Sequence, residues 1–412
     1  MERQDVIIAG GGIIGTLLGL ALARSGLTAT VCDALPEEAR RADDFDGRAY
    51  AVAAAGRRML DALGLWPALA ADAQPMSRIE IADPGSGDRM AGAAALPTLL
   101  QFDHRQTDGG PFAHMIEDRH LRRAVQDAAA TTPGLSLRAP ISVAGHQAGP
   151  GGVTVHLDDG TALAGGVLAA CDGRASATAR HAGLTSLGWD YGQNGLVCAL
   201  ETAHPHHGVA REIFLPAGPF AVLPLTGNRV SLVWTESRAR ARAIDALDDD
   251  AYLAELSRRM GTALGPARLI GKRYTYPLAL ALAQRWVAPR IALVGDSAHA
   301  IHPLAGQGLN LGLADVAALT EVLVTARRRG EDPGALDVLS RYQVWRRFDA
   351  AAMALTCDAF NRLFSNDAPV LRGLRGLGLS LVNRLPAARR AFMAAASGEA
   401  GSAPRLMQGQ PL

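Results

Sequence analysis

The chain has 412 residues, of which 49% are hydrophobic and 20% charged, so it is long enough for two or three domains with a real core. Its 41 Lys and Arg residues balance 40 Asp and Glu residues, which argues against a dedicated nucleic-acid-binding protein. The four Cys residues are far apart and predict neither a disulfide framework nor a zinc site, which favours a reducing compartment. No secretory signal and no transmembrane helix is indicated. We expect a cytoplasmic protein, either soluble or peripheral at the inner face of a membrane.

The N-terminal residues predict a βαβ unit. The β-branched run at residues 5–9 is typical of a buried parallel strand, and an apolar segment with helical spacing follows and ends near Gly26. Residues 28–34 predict a second strand. A strand, a glycine loop, a helix and a second strand within roughly 30 residues are the elements of a βαβ unit.

A dinucleotide-binding pattern lies inside this unit. Gly10, Gly12 and Gly15 form G-x-G-x-x-G, in which the first Gly permits a tight turn, the second admits a pyrophosphate and the third allows close packing. Asp33 follows about 20 residues later, where a carboxylate can accept hydrogen bonds from an adenosine ribose. The pattern predicts one tightly bound dinucleotide, FAD or NAD; the alternative is a glycine turn without a ligand.

Further elements follow in chain order. Residues 53–69 and 115–130 predict helices, strands are predicted around 77–82 and 101–104, and 151–163 predicts a hairpin. Short strands separated by turns run from about 191 to 276 and predict an antiparallel sheet, interrupted by a helix at 248–264. Residues 290–296 predict another buried strand, and a glycine loop, a helix and an Ala- and Leu-rich helical region complete the chain.

Two more motifs follow strands. Asp172 and Gly173 end one apolar run, which by itself indicates only a turn. Gly295 and Asp296 end the other and precede the loop PLAGQGLN at 303–310. With G-x-G-x-x-G, in this order and at this spacing, these motifs resemble the three fingerprints of the group A FAD-dependent aromatic hydroxylases.

The resemblance narrows to the ubiquinone-biosynthesis hydroxylases and covers nearly the whole chain. The stretches that carry it are FDGRAYAV (45–52), FDHRQTDGGPFAHMIEDRHL (102–121), DYGQNGLVCAL (190–200), GPFAVLPL (218–225), HPLAGQGLNLGLADV (302–316) and GLGLSLVNRLPAARRAFM near the end. It implies FAD as a prosthetic group, NAD(P)H as a transient co-substrate, and O2 as the source of the oxygen that a C4a-hydroperoxyflavin delivers to a polyprenylphenol ring.

The fold class that follows is α/β: a Rossmann-like FAD-binding domain, an inserted antiparallel-sheet substrate domain and a helical C-terminal region. We assign residues 1–75, 101–185 and 277–340 to the first, 76–100 and 186–276 to the second, and 341–412 to the third.

The resemblance also implies roles for individual residues. Those implied to contact FAD are Gly10, Gly12, Gly15 and Asp33 at the adenosine half, Arg48 and Arg119 near the flavin and pyrophosphate, Asp172, which also handles NADPH, Asp296 at the ribitol, and Gly306, Gln307, Gly308, Leu309 and Asn310 at the flavin ring. Pro303 and Gln307 lie in the flavin-facing loop. No catalytic side chain is identified, because flavin does the difficult chemistry while the protein positions and shields it.

Single residues leave alternatives open. His299 and His302 could be a metal pair, a general base or packing residues; no further ligands at metal-site spacing appear, so we expect no metal and favour packing or hydrogen bonding. Tyr191, Gln193 and Pro224 are the candidates for contact with the substrate, because they lie on the predicted sheet; ordinary sheet packing is the alternative.

The C-terminal stretch at 369–397 could be a core helix or a membrane-surface helix, and a polyprenyl substrate makes access from a bilayer chemically sensible. Two other functions stay open at this point: hydroxylation of a soluble aromatic compound, and a non-catalytic FAD-binding scaffold among other quinone-synthesis proteins.

Overall fold

A computed structural model describes residues 3–45, 47–82, 98–106, 110–261, 263–302, 306–364 and 402–412. Its strands are β1 (Gln4–Ala9), β2 (Ala29–Cys32), β3 (Ala49–Ala53), β4 (Gln74–Met76), β5 (Arg78–Ala82), β6 (Thr98–Asp103), β7 (Ala113–Glu117), β8 (Leu135–Arg138), β9 (Val143–Gly149), β10 (Gly152–Leu157), β11 (Ala162–Ala170), β12 (Ser186–Thr202), β13 (Val209–Leu215), β14 (Gly218–Leu225), β15 (Arg229–Ser237), β16 (Ala267–Ala283), β17 (Val287–Ala288), β18 (Ile291–Leu293) and β19 (His299–Ala300). Its α-helices are α1 (Ile13–Arg24), α2 (Glu37–Arg41), α3 (Ala54–Ala62), α4 (Trp66–Leu69), α5 (Asp118–Thr131), α6 (Ala177–His181), α7 (Arg238–Asp245), α8 (Asp249–Met260), α9 (Gln307–Arg328) and α10 (Leu336–Phe364). Short 3-10 helices lie at His104–Gln106, Gly295–Ser297 and Arg405–Gln408.

The first sheet is the Rossmann-like layer, with strand order β17-β18-β11-β1-β2-β8. β1 pairs in parallel with β2 and β11, and β11 pairs in parallel with β18. The central strands are apolar and buried because helices cover them, as expected for parallel strands. The glycine loop and the Gly295–Asp296 turn therefore follow the carboxyl ends of strands in one sheet, where ligands bind in such folds.

The second sheet is the predicted one, with order β19-β16-β12-β15-β14-β13-β5-β6; its neighbouring strands are antiparallel except β13 and β5, which pair in parallel. Side chains alternate between its two faces. One face packs on α7 and α8 through buried side chains that include Phe220, Trp234 and Tyr252. The other face is turned toward the cavity described below. A small sheet of order β3-β7-β4 completes the layers.

The predicted α/β fold class with an antiparallel sheet is confirmed. The division into residue ranges stays a prediction, and the sheet itself runs past the range assigned to it, since β16 ends at Ala283 and β6 at Asp103. The stretch at 369–397 lies outside the described residues.

One predicted helix is two. Residues 53–69 divide into α3 and α4, because Gly64 adopts a left-handed φ of 60° between them and Pro67 occupies the first turn of α4. Proline suits a first turn, where its missing N–H breaks no helical hydrogen bond.

The helix α7 was not predicted, because its sequence RARARAID lacks a regular apolar stripe. Ser237 caps it by accepting the N–H of Arg240.

The helix predicted at 115–130 begins too early. β7 runs through Glu117 and α5 begins at Asp118. Met115 and Ile116 are fully buried and pair with β3, so this apolar segment gains more by completing a sheet than by extending the helix.

Among the described residues one helix, α9, is long and apolar enough by length and composition to cross a membrane. In its most apolar 18-residue window 78% of the residues are buried inside the protein, which is typical of a core helix.

Candidate functional site

A cavity of about 700 Å³ lies between the Rossmann-like sheet and the antiparallel sheet. Its volume is within the usual range for small-molecule and cofactor sites. On the Rossmann-like side it is lined by residues that include Gly11, Gly12, Gly15, Asp33, Arg48, Arg122, Gly295, Asp296, His302, Gly306, Gln307, Gly308, Leu309 and Asn310. On the sheet side it is lined by residues that include Ile79, Val197, Ala210, Glu212, Pro219, Ala221, Leu223, Ser231, Val233, Thr235 and Tyr276.

Each of the three glycines of the first motif has its own geometric reason for lacking a side chain. Gly10 has φ +97°, and a Cβ there would lie 2.4 Å from the carbonyl oxygen of Cys171. A Cβ on Gly15 would lie 1.9 Å from the carbonyl oxygen of Gly10, so loop and helix could not pack as they do. A Cβ on Gly12 would meet no protein atom within 4 Å, which leaves open space on the cavity side of the loop.

Two helices begin at the cavity without side-chain caps. Gly12 precedes α1 and Gly306 precedes α9; neither offers a capping side chain, and neither helix has an acidic residue in its first turn. Because no side chain caps either helix, the N–H groups of the first turn and the positive dipole end at each site can interact with an anionic ligand. The α1 terminus suits a pyrophosphate, and the α9 terminus suits negative charge on a reduced isoalloxazine ring.

The carboxylate of Asp33 lies beside the glycine loop. It accepts the N–H of Gly11 and, at 2.8 Å, the N–H of Leu35. These bonds fix its orientation at the cavity wall and leave lone pairs for a ribose hydroxyl.

The two other predicted aspartates differ in position. Asp296 is exposed at the cavity, in the short 3-10 helix that follows β18. Asp172 instead accepts the N–H of Thr178 at 3.0 Å, which holds the start of α6, and its neighbours Gly173 and Arg174 line the cavity. The other oxygen of Asp172 is buried and has no hydrogen-bond partner in the described part of the chain.

The two predicted arginines, Arg48 and Arg119, differ in their position relative to the cavity. Arg48 lines the cavity and lies 3.4 Å from the buried carboxylate of Asp118. Arg119 is turned away: its Nε donates to Glu117 at 2.8 Å. Arg122, which sequence reasoning missed, lines the cavity and donates to Asp118 at 3.1 Å. The i, i+4 spacing of 118 and 122 was the available signal.

The two histidines face different surroundings. His299 donates from Nε2 to Asp315, which also accepts Nε of Arg346 at 3.0 Å; all three side chains are buried. Burial works to raise the pKa of Asp315, but His299, Arg346 and the N–H of Gly295 outweigh it and hold that pKa below its usual value. Asp315 on α9 and Arg346 on α10 therefore hold the turn at Gly295 in place.

His302 lines the cavity, with its ring edge-to-face against Tyr191 at 5.3 Å between centroids. Burial lowers the pKa of His302 to about 4, against an opposing effect of Asp358. Neither ring nitrogen has a hydrogen-bond partner among the described residues. No three His, Cys, Asp or Glu side chains cluster as metal ligands within that part of the chain.

The first turn of α9 borders the cavity. Gln307 and Gly308 line the cavity, and a Cβ on Gly308 would meet nothing within 4 Å. The Asn310 side chain is occupied, since it donates to the carbonyl of Ala51 at 2.8 Å and accepts the N–H of Ala53 at 2.9 Å. Pro303 lies outside the described residues.

The predicted substrate residues are only partly at the cavity. Tyr191 borders it through its contact with His302. The amide of Gln193 is bonded to the carbonyl of Ala217 at 2.7 Å and to Asn361 at 3.0 Å. Pro224 alternates with the cavity-lining Leu223 and so faces the other side of β14.

The cradle fits FAD: the open space at Gly12, two uncapped helix termini and the cavity wall at Asp33 and Asp296 match the phosphates, ribose and ribitol of that cofactor. The FAD binding domain family model matches residues 3–354. The solved structure of p-nitrophenol 4-monooxygenase PnpA from Pseudomonas putida superposes with a TM-score of 0.79 at 21% identity, covering 95% of this chain and 97% of that one, which shows a shared fold.

The protein is thus an FAD-dependent aromatic monooxygenase. Over 411 residues it is 41% identical to the ubiquinone hydroxylase UbiL of Rhodospirillum rubrum, covering 99% of this chain and 93% of that protein. It is 33% identical to the 3-demethoxyubiquinol 3-hydroxylase of Escherichia coli over 94% of this chain and 97% of that protein. The chain belongs to the family of ubiquinone-biosynthesis FAD-dependent hydroxylases, which confirms the resemblance. The contact of each single residue with FAD stays a prediction.

Proposed function

We propose that this protein hydroxylates the aromatic ring of a polyprenylphenol intermediate of ubiquinone biosynthesis, with NAD(P)H as reductant and O2 as oxidant. The observation that carries the proposal is the continuity of one cavity from the glycine cradle to the apolar face of the antiparallel sheet. A cofactor held at the cradle and an apolar ring held at the sheet would then meet inside a single cavity.

The chain's residues have defined tasks in this proposal. The α1 terminus holds the pyrophosphate, Asp33 accepts from the ribose and Asp296 from the ribitol, and the α9 terminus stabilises negative charge on the ring. FAD, once reduced by NAD(P)H, supplies the electrons with which one atom of O2 enters the substrate and the other becomes water.

The sheet side excludes water. Val197, Ala221, Leu223 and Val233 present hydrocarbon to the cavity, and a dry site limits loss of reducing equivalents to peroxide. The same apolar wall suits an alkylated phenol ring better than a charged soluble aromatic.

The test uses the purified holoprotein, a phenol carrying two or three isoprene units, NADPH or NADH, and ¹⁸O2. We expect one ¹⁸O atom in the ring product by mass spectrometry and NAD(P)H oxidation that the substrate stimulates. Hydroxylation of small soluble phenols with no prenylphenol product would overturn the proposal. A variant unable to bind FAD that still restores quinone synthesis in a deletion strain would favour a scaffold instead.

A peripheral position at the inner membrane face belongs to the same proposal. The substrate dissolves in lipid, and Val344 and Phe348 on α10 are 76% and 78% exposed. Co-sedimentation with anionic vesicles should fall when both are replaced by Ser; unchanged sedimentation would argue that substrate arrives by another route.

A further inference from the structure

One face of the antiparallel sheet forms the far wall of the cavity. Glu212, Ala221, Val233 and Val197 are direct cross-strand neighbours on β13, β14, β15 and β12. Directly opposed residues point to the same face, and all four line the cavity. This set is called the Glu212 row below.

The neighbouring row faces the opposite way. Ile213, Phe220 and Trp234 follow the same cross-strand register one residue along, and they are buried against α7 and α8. The direction of the Glu212 side chain is therefore fixed by strand alternation, and a rotamer change alone cannot move it into the sheet core.

Glu212 is the carboxylate of an otherwise uncharged row. Within the described part of the chain it has no ion pair or side-chain hydrogen bond, although its strand neighbour Arg211 is bonded to Glu80 at 3.0 Å. Burial alone raises the pKa of Glu212 to about 7. An unpaired carboxyl in an apolar wall costs folding free energy, so its presence needs a reason outside stability.

The surroundings contain few groups that could neutralise it. β14 has no ionisable residue, and the charged pair on the β5 side is Arg211 with Glu80. Cys357 on α10 lies close enough for the charge of Glu212 to act on its thiol. The other ionisable groups that line the cavity in the described part of the chain include Tyr276 on β16 and, on the Rossmann-like side, Asp33, Arg40, Arg48, Asp118, Arg122, Cys171, Arg174, Asp296 and His302; none of them outweighs the burial of Glu212. Burial and then the charge of Glu212 raise the pKa of the Cys357 thiol to about 12, so the thiol stays neutral.

We propose that Glu212 is the general base that accepts the hydroxyl proton of the phenol substrate. The O–H bond breaks, its electron pair stays on oxygen as phenolate, and the proton binds a carboxylate oxygen of Glu212. Phenolate is a far better nucleophile at its ring carbons than phenol, so oxygen transfer to the ring becomes easier.

The proton balance closes within one turnover. After oxygen transfer the substrate oxygen is a ring carbonyl, and Glu212 returns its proton to that oxygen while the C–H proton at the new C–O carbon leaves to solvent. The O–O bond breaks as the C–O bond forms, and the second oxygen atom takes up one proton from solvent and leaves as water, which balances the proton lost from carbon. Glu212 ends as carboxylate, and no extra oxidant or reductant is needed. A base with pKa near the working pH is the effective one for such a transfer.

The experiment rests on the proposed function and measures kcat/KM for the prenylphenol against pH in the FAD-loaded protein. In the wild type we expect kcat/KM to rise about tenfold per pH unit below about 7 and to level above it. Glu212→Gln should lower kcat/KM at pH 8 by about 10²-fold or more and remove the acidic limb. Glu212→Asp should recover part of the rate and retain the rise of kcat/KM with pH.

Matched controls separate a base from a packing role. Glu201→Gln, on β12 and outside the cavity, should keep the wild-type profile. With the aryl methyl ether of the substrate, which has no proton to lose, wild type and Glu212→Gln should differ little. FAD absorbance and Tm of Glu212→Gln report folding.

The outcomes are distinguishable. A wild-type profile for Glu212→Gln, with hydroxylated product still formed, overturns the role of Glu212 and leaves the proposed function standing. A uniform rate loss at every pH, with the acidic limb retained, also overturns it. No hydroxylated product from the wild type overturns both.

Discussion

The side chain of Asn310 accepts the backbone N–H of Ala53 at 2.9 Å. A second bond, from its amide to the carbonyl of Ala51 at 2.8 Å, fixes the start of α9 to β3 across the cavity wall. The sequence predicts that Asn310 contacts the flavin. In the structure its side chain is bonded to β3, and we expect it to position the start of α9 for the cofactor.

Replacing Asn310 by Ala should therefore weaken both the fold and the cofactor site. Two buried backbone groups lose their partners, which costs about 1–3 kcal/mol each when unsatisfied. We expect a lower Tm and a higher FAD dissociation constant by fluorescence titration. Asn228→Ala, in an exposed turn, is the control, and equal effects of the two changes would refute the positioning role.

Gly12 and Gly15 should respond differently to Ala. The Gly12 Cβ meets only open space, so Gly12→Ala should fold with an apoprotein Tm near wild type but bind FAD at least tenfold more weakly. The Gly15 Cβ meets the Gly10 carbonyl at 1.9 Å, so Gly15→Ala should lose stability as well. Thermal unfolding of apoprotein and FAD titration separate the two effects. Unimpaired FAD binding by Gly12→Ala would mean that the pyrophosphate lies elsewhere.

Asp315 should be a strong determinant of stability. Asp315→Ala leaves Arg346 and His299 buried without their common partner, and breaking such a pair costs about 3–5 kcal/mol. Because the folded pKa of Asp315 lies below its usual value, its contribution is present above the unfolded pKa and is lost as pH falls through the folded one. Urea unfolding should show a constant deficit from pH 8 to 5. Asp349→Asn, on the exposed partner of Arg346, should change stability by less than about 1 kcal/mol.

His302 should stay neutral across the physiological range. Burial holds its pKa at about 4, so its ring nitrogens should show no titration between pH 5.5 and 8 in ¹⁵N-resolved NMR spectra. His302→Phe, which has no ring nitrogens, identifies the signals. A midpoint near 6.5 would show that water or an anion reaches the ring.

Local patterns predicted the cradle because its glycines have a fixed spacing: Gly10 and Gly15 leave no room for a Cβ, and Gly12 leaves open space at the cavity. Arg119 and Arg122 show what such patterns cannot predict. Both lie on α5, and which of them faces the cavity depends on the residue at which the helix begins after β7. Glu212 had no signal at all, since the alternation of β13 places a carboxyl in the wall only once the register with β14 and β15 is known.

Glu212 should also make the stability of the folded protein depend on pH. Its folded pKa of about 7 lies above the unfolded value of 4.5, so the folded state binds the extra proton between these values. Stability that is fully present below about pH 4.5 is then lost as pH rises through 7. Gln does not titrate, so Glu212→Gln should be more stable than wild type at pH 8, by about 1–3 kcal/mol, and nearly equal at pH 5. Urea unfolding at the two pH values measures this; a Gln variant that is less stable at pH 8 would mean that Glu212 makes a stabilising contact.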